Sequence, residues 1–260
     1  MSRIKQVFQN TDVHKALVAY ITAGDPNLET TLELMHSLAA NGADIIELGV
    51  PFSDPMSDGP TIQRAAERAL ANGVSLTDVL ETVRRFRQSN QSTPVVLMGY
   101  LNPIHKMGYE PFARTAKEAG VDGVLTVDSP IETVAPLHNA LKAAGLDTIF
   151  LVAPTTGEAR MAEIAKLASG FVYYVSLKGV TGSASLNTAE VAEKVAVLRR
   201  HVPLPICVGF GISDAESARQ IAAVADGVVI GSRIVKEIEA NPGREAEAAG
   251  KLVKSLKEAV

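Results

Sequence analysis

Apolar positions along this chain fall into two alternating kinds of stretch. The first kind is short and apolar at nearly every position, and such runs occupy 16–21, 44–50, 95–100, 123–127, 148–152, 171–175, 205–208 and 227–230. Runs like these suit strands buried on both faces, as in a parallel sheet covered by helices. In the second kind, apolar residues recur every three or four positions, as at Leu32, Leu34, Met35, Leu38 and Ala39 within 28–41. Segments 111–119, 131–144, 158–168, 188–200 and 214–224 repeat that pattern, which is the spacing of a half-buried helix. Capping side chains precede three of the helices, in Asp25-Pro26-Asn27, Ser129-Pro130-Ile131-Glu132 and Ser213-Asp214-Ala215-Glu216. Gly42, Gly120, Gly145 and Gly170 end helices just ahead of a strand.

Strand and helix alternating in this way predict a parallel sheet with crossover helices. Eight repeats in 260 residues predict one closed (β/α)8 TIM barrel over residues 1–260. The repeat is longest between the second and third strands. The excess fits an extended loop, 51–60, and helices at 61–71 and 75–88. Ile4, Val7 and Phe8 predict a short N-terminal helix that caps the barrel bottom, and 246–260 reads as a final helix. An open doubly wound sheet is the competing fold. It would carry a Gly-rich turn after strand one, where this chain has Ala23-Gly24-Asp25-Pro26.

Composition narrows the picture further. Hydrophobic residues make up 47% and charged residues 21%, a mix that builds a packed core. A net charge of −4 gives no field to attract nucleic acid or anionic lipid. The N-terminus lacks a basic-then-apolar signal and no window is apolar enough to span a membrane, so a cytoplasmic location is expected. Cys207 stands alone inside an apolar run and reads as a core residue.

Barrel enzymes place their chemistry at the C-terminal ends of the strands. The second strand carries Glu47 inside its apolar run, where a carboxyl group must be paired, protonated or facing a polar cavity. A proline-rich loop follows with Asp54 and Asp58. A stiff loop returning carboxylates toward a buried Glu fits acid–base work, while a structural Glu with turn-forming Asp residues is the plain alternative. Other strand ends offer Tyr20, Thr22, Tyr100, Asn102, Asp128, Tyr173, Tyr174 and Ser176. Glycine-bearing loops after strands six, seven and eight hold Gly182, Gly211 and Gly231-Ser232. Gly231-Ser232 opens a short helix at 233–240, whose free amides and dipole favour an anion, so these loops predict a phosphate site. No pair among the five histidines has metal-ligand spacing, so no metal is expected. Lys178 lies a few residues late for a Schiff-base lysine in the barrel interior.

Several of these segments together resemble one family. Glu47-Leu-Gly-Val-Pro-Phe-Ser-Asp-Pro55 followed by Ser57-Asp-Gly-Pro-Thr-Ile-Gln63 is similar to the signature of tryptophan synthase α subunits. Thr22-Ala-Gly-Asp-Pro26, Met98-Gly-Tyr-Leu-Asn-Pro103, Ser176-Leu-Lys-Gly-Val-Thr-Gly182 and Gly209-Phe-Gly-Ile-Ser213 extend the resemblance along the chain. It departs from the family pattern at Ser129-Pro130, where Leu-Pro is expected, and at Leu177-Lys178.

The resemblance implies a (β/α)8 barrel that cleaves indole-3-glycerol phosphate to indole and glyceraldehyde 3-phosphate without a cofactor of its own. It implies an α2β2 complex in which indole passes to a pyridoxal-phosphate β subunit. It assigns acid–base chemistry to Glu47, a second carboxylate to Asp58 and an active-site tyrosine to Tyr173. It puts the indole pocket at Tyr20, Met98, Tyr100, Val127 and Phe210. The phosphate site falls at Gly182, Gly211, Gly231 and Ser232, and Thr181 lies on a loop that closes over substrate. On the residues alone, a phosphate-sugar isomerase or aldolase, a stand-alone indole-releasing lyase and a phosphate-binding regulatory subunit also remain open. Phe52, Pro55, Met56, Ile104 and Met107, on loops at the barrel mouth, are expected to be exposed and to meet the β partner.

Overall fold

The computed structural model describes residues 2–10, 15–175, 188–209, 211–212 and 214–260. Each apolar run forms a strand: β1 (Ala16–Thr22), β2 (Ile45–Gly49), β3 (Val95–Gly99), β4 (Gly123–Thr126), β5 (Asp147–Val152), β6 (Val172–Val175), β7 (Ile206–Gly209) and β8 (Gly227–Ile230). All pair in parallel, in chain order, and β1 also pairs with β8 to close the barrel. The helices are α1 (Arg3–Val7), α2 (Leu28–Ala40), α3 (Pro60–Ala71), α4 (Leu76–Arg87), α5 (Leu101–Met107), α6 (Tyr109–Ala119), α7 (Ala135–Ala144), α8 (Glu158–Leu167), α9 (Thr188–His201), α10 (Ala215–Ala222), α11 (Ser232–Ala240) and α12 (Glu245–Lys257).

Two apolar layers explain why the strands tolerate no polar face. One lies between sheet and helices, with Leu17, Leu48, Val124 and Val208 meeting helix residues such as Leu34, Val83 and Ile221. The other fills the barrel axis. Val18, Ile45, Val96, Leu125, Ile149, Cys207 and Val229 point inward from seven strands, and Phe171 joins them from just ahead of β6. The N-terminal helix closes this layer from below, as expected: Ile4 is fully buried in it, and Val7 and Phe8 pack beside it. Arg3 and Ser2 latch that helix to the strand starts, Arg3 to Asp122 at 2.9 Å and Ser2 to Asp147 at 2.7 Å.

The extra segment after β2 becomes α3 and α4. Ser75 and Asp78 cap α4 reciprocally. Helix α5 was not foreseen in the sequence. Of the three capping expectations, that in Asp25-Pro26-Asn27 holds through Asn27, which caps α2 by accepting from the Thr30 amide at 2.9 Å, and the other two need correction. Asp214 caps α10 and exchanges hydrogen bonds with Ser217, while Ser213 lies outside the described residues. Ser129 caps nothing. The Pro130 carbonyl accepts from Thr133 and Val134, forming a separate turn, and α7 begins only at Ala135. Pro136 lies in that first turn, where its missing N–H costs no hydrogen bond. Glu132 turns away to pair with Arg160.

Candidate active site

Side chains alternate along a strand, so every second residue beyond the inner layer lines the barrel mouth. From Ile45 the step reaches Glu47 and Gly49. From Val18 it reaches Tyr20 and Thr22, from Val96 Met98 and Tyr100, and from Leu125 Val127. From Phe171 it reaches Tyr173, from Cys207 Gly209, and from Val229 Gly231. The described residues of the expected ring and phosphate sites on these strands therefore meet at one end of one barrel. Met98, Val127 and Tyr173 pack on the inner layer and stay half-open toward the mouth, and Leu151 of β5 joins them. Tyr20 and Met98 pack against Ile62 and Ala65 of α3 and Val235 of α11.

Glu47 is 1% exposed and aligned with Tyr20 on one side and Val96 on the other. Its Oε1 has no hydrogen-bond partner. Burial alone pushes its carboxyl up to about 8, because the charged form loses water and gains no cation. This is a neutral acid buried at the base of the barrel mouth, and the idea of a Glu held by backbone amides does not fit the orphaned oxygen.

Asp58 reaches the mouth from the loop before α3. The Tyr100 hydroxyl donates to its Oδ2 at 3.2 Å and accepts from the Ser57 amide at 2.9 Å. The Phe52 ring stacks on Tyr100, 5.1 Å between centroids. Gln63 donates to the Asp58 carbonyl at 2.8 Å, tying the loop to α3. Burial raises the Asp58 carboxyl and the tyrosine hydrogen bond opposes the rise. Tyr100 therefore serves the acidic loop as well as the pocket wall.

Two glycines are fixed by the tyrosines. A Cβ on Gly49 would overlap the Tyr20 hydroxyl, and one on Gly209 would overlap that of Tyr173. Each tyrosine ring can lie across the neighbouring strand because that strand has no side chain there. The Tyr20 hydroxyl sits 3.3 Å from Thr22 Oγ1. Burial raises both phenols well above their ordinary range; Asp58 and Glu47 add to this for Tyr20, and Glu47 for Tyr173, so both stay neutral donors.

Gly231 precedes α11 with no side-chain cap, and no acid lies in that helix's first turn. Its leading amides thus lack both a helical partner and a capping one. Gly211 has φ 80°, a conformation natural to glycine. Phe210, Thr181, Gly182 and the loop containing Lys178 lie outside the described residues. Asp128 is a helix-orienting residue: its Oδ1 accepts from the Leu101 amide at the start of α5, at 2.7 Å. The expected exposed patch shrinks. Met56 is 80% exposed, whereas Ile104 is buried, Met107 packs on the core, and Phe52 lies on Tyr100. Sequence reasoning missed Leu125, Leu151, Ile62 and Val235. The two-residue step along β4 and β5 would have found the first two.

Fold and site together define a (β/α)8 barrel with two carboxyl groups and two neutral phenols gathered at the end where barrel enzymes place their chemistry. A model of the tryptophan synthase alpha chain family matches residues 8–260, and the chain belongs to that family. It is 68% identical to the tryptophan synthase alpha chain of Neisseria meningitidis serogroup B over 260 residues, covering all of both chains. Among solved structures, the tryptophan synthase subunit alpha of Legionella pneumophila superposes with a TM-score of 0.93 at 44% identity, over 100% of this chain and 98% of that one. A chain of the tryptophan synthase complex of Pyrococcus furiosus gives 0.84 at 37% identity, over 94% and 99%. The protein is thus a lyase of tryptophan biosynthesis, and the reaction known for its family is cleavage of indole-3-glycerol phosphate. Alpha chains of this family work with a beta chain. Among the described residues no helix is long and apolar enough to cross a membrane.

Proposed function

We propose that Glu47 and Asp58 carry out the cleavage, with indole-3-glycerol phosphate held by its ring in the barrel mouth and by its phosphate at the start of α11. The observation that carries this reading is the buried, unpartnered Glu47 carboxyl, held up to about 8. A neutral acid there donates its proton to the indole carbon that bears the glycerol chain. The ring becomes a cation and an electron sink. Asp58, as an anion, accepts the ring N–H and stabilises that charge. The Glu47 carboxylate then takes the proton of the side-chain hydroxyl. The carbon–carbon bond breaks, its electrons return to the ring, and Glu47 is again neutral. Indole and glyceraldehyde 3-phosphate leave, with no proton gained or lost overall.

Met98, Val127, Tyr173 and Tyr20 supply the apolar walls, to which Leu151 and Ile62 are added. Gly231, Ser232, Gly211 and Gly182 receive the phosphate, and anchoring that end fixes the ring against Glu47. Thr181 belongs to the loop that covers the bound substrate. The partner is a β subunit in an α2β2 complex, met at the barrel mouth beside the exposed Met56. The location is cytoplasmic. The test is release of indole from indole-3-glycerol phosphate by the purified chain, alone and with cognate β subunit. Turnover that rises with β is expected. Failure to release indole under both conditions rejects the reading, and full activity without β identifies a stand-alone lyase.

A further inference from the structure

Asp25 is a buried carboxylate that the chemistry above does not use. It belongs to the Thr22-Ala-Gly-Asp-Pro26 segment, follows β1 on the mouth side and is 2% exposed. It does not cap α2, so its burial needs another account. Arg68 of α3 supplies it: Nε and Nη2 hold the two Asp25 oxygens at 2.7 and 2.9 Å. The remaining Arg68 nitrogen, Nη1, reaches Glu239 of α11 at 2.9 Å. Arg64, one turn earlier on α3, donates to the same Glu239 at 3.3 and 3.4 Å. Asn72 at the end of α3 donates to the Pro26 carbonyl at 2.6 Å. On the inner side of the same contact, Ile62 and Ala65 pack against Tyr20 and Val235.

The two helices joined this way are those that begin at the two halves of the site. Helix α3 begins two residues after Asp58, and α11 begins at Ser232. We propose that Arg68 is a positioning residue: through Asp25 and Glu239 it fixes the acidic loop and the phosphate-binding helix end at one separation, matched to a ligand with an aromatic ring at one end and a phosphate at the other. The inference rests on the functional reading above. Each half-site binds its own fragment without the clamp. Only a ligand that spans both, and must place one ring carbon at Glu47, needs the separation held. A misplacement of about 1 Å can cost roughly 10²-fold in rate, so a loosened clamp appears in kcat before it appears in fragment binding.

Neutralising Arg68 would strand the buried Asp25 charge and threaten folding. The informative variants are therefore R68K and E239Q. Lysine keeps a cation beside Asp25 but, as a point charge, cannot hold both Asp25 oxygens and Glu239 together. E239Q releases α11 alone and leaves Asp25 paired. The measurements are kcat and KM for indole-3-glycerol phosphate, dissociation constants for glycerol 3-phosphate and for indole separately, and melting temperature. Expected is a fall in kcat of about 10-fold for R68K and about 3-fold for E239Q, with both fragments bound within about 2-fold of wild type. Wild-type kcat in both folded variants overturns the clamp. So does a loss that tracks only the melting temperature. Cleavage by wild type together with undiminished glycerol 3-phosphate binding by S232E would overturn the phosphate reading beneath the clamp, and the clamp's stated role with it.

Discussion

At the scale of single residues, burial without a partner turns Glu47 into an acid, and stability and activity should both register it. Its folded value near 8 lies above the ordinary 4.5. Below about 4.5 the carboxyl is protonated in both states. From there to about 8 the unfolded chain releases a proton that the folded chain keeps, so stability falls as pH rises, and above about 8 the loss is complete. E47Q removes this dependence. Unfolding free energies of wild type and E47Q from denaturant titration should diverge across that window, by about 5 kcal/mol at most. Parallel curves would mean Glu47 is not neutral when folded. Tyr100 gives a milder expectation. Y100F loses the hydrogen bond to Asp58 and the one accepted from Ser57, and should lower kcat about 10-fold with a stability loss of about 1–2 kcal/mol. An unchanged kcat would show that Asp58 needs no support from Tyr100. Asp58, like Glu47, was legible from its place in the sequence. The dual role of Tyr100 was not, because it depends on a loop folding back 42 residues away.

Secondary-structure elements were legible to different degrees, for physical reasons. All eight strands show in the sequence because burial on both faces leaves them few polar positions. Two caps were displaced by a residue or more, since several polar side chains at a helix start can serve, and tertiary pairing claims some of them. Asp25 went to Arg68 and Glu132 to Arg160. Helix α5 escaped notice because Pro103 and its short length hide the periodicity. The amphipathic α1 was legible, and it carries a prediction. Ile4 plugs the lower barrel among Val18, Ile149 and Phe171. I4A should cost about 2–5 kcal/mol in chemical denaturation while leaving KM unchanged, since the cavity it opens lies at the end opposite the site. A shift in KM instead would mean the inner layer transmits strain to the mouth.

For the molecule as a whole, the proposed function makes the mouth of the barrel both the site and the face offered to a partner. Ile62 and Val235 reach it from helices, so no strand-end reading could have found them. The exposed patch proved smaller than the loops implied, because Phe52, Ile104 and Met107 support the chain's own barrel and Met56 is left outside. M56D should weaken association with a cognate β subunit at least 10-fold, while indole release by the isolated chain stays within about 3-fold of wild type. Tight binding by M56D would move the contact elsewhere. Coupling between β binding and a substrate analogue must run both ways, so an analogue that tightens β binding is itself bound more tightly when β is present. The most direct test of the whole account is the pH dependence of kcat/KM for indole-3-glycerol phosphate, measured for wild type and E47Q. The account predicts a wild-type profile that falls on its alkaline side near pH 8, and an E47Q rate lower by about 10²–10⁴-fold with that limb gone. Near-wild-type cleavage by E47Q, or the same alkaline limb in both proteins, would contradict it.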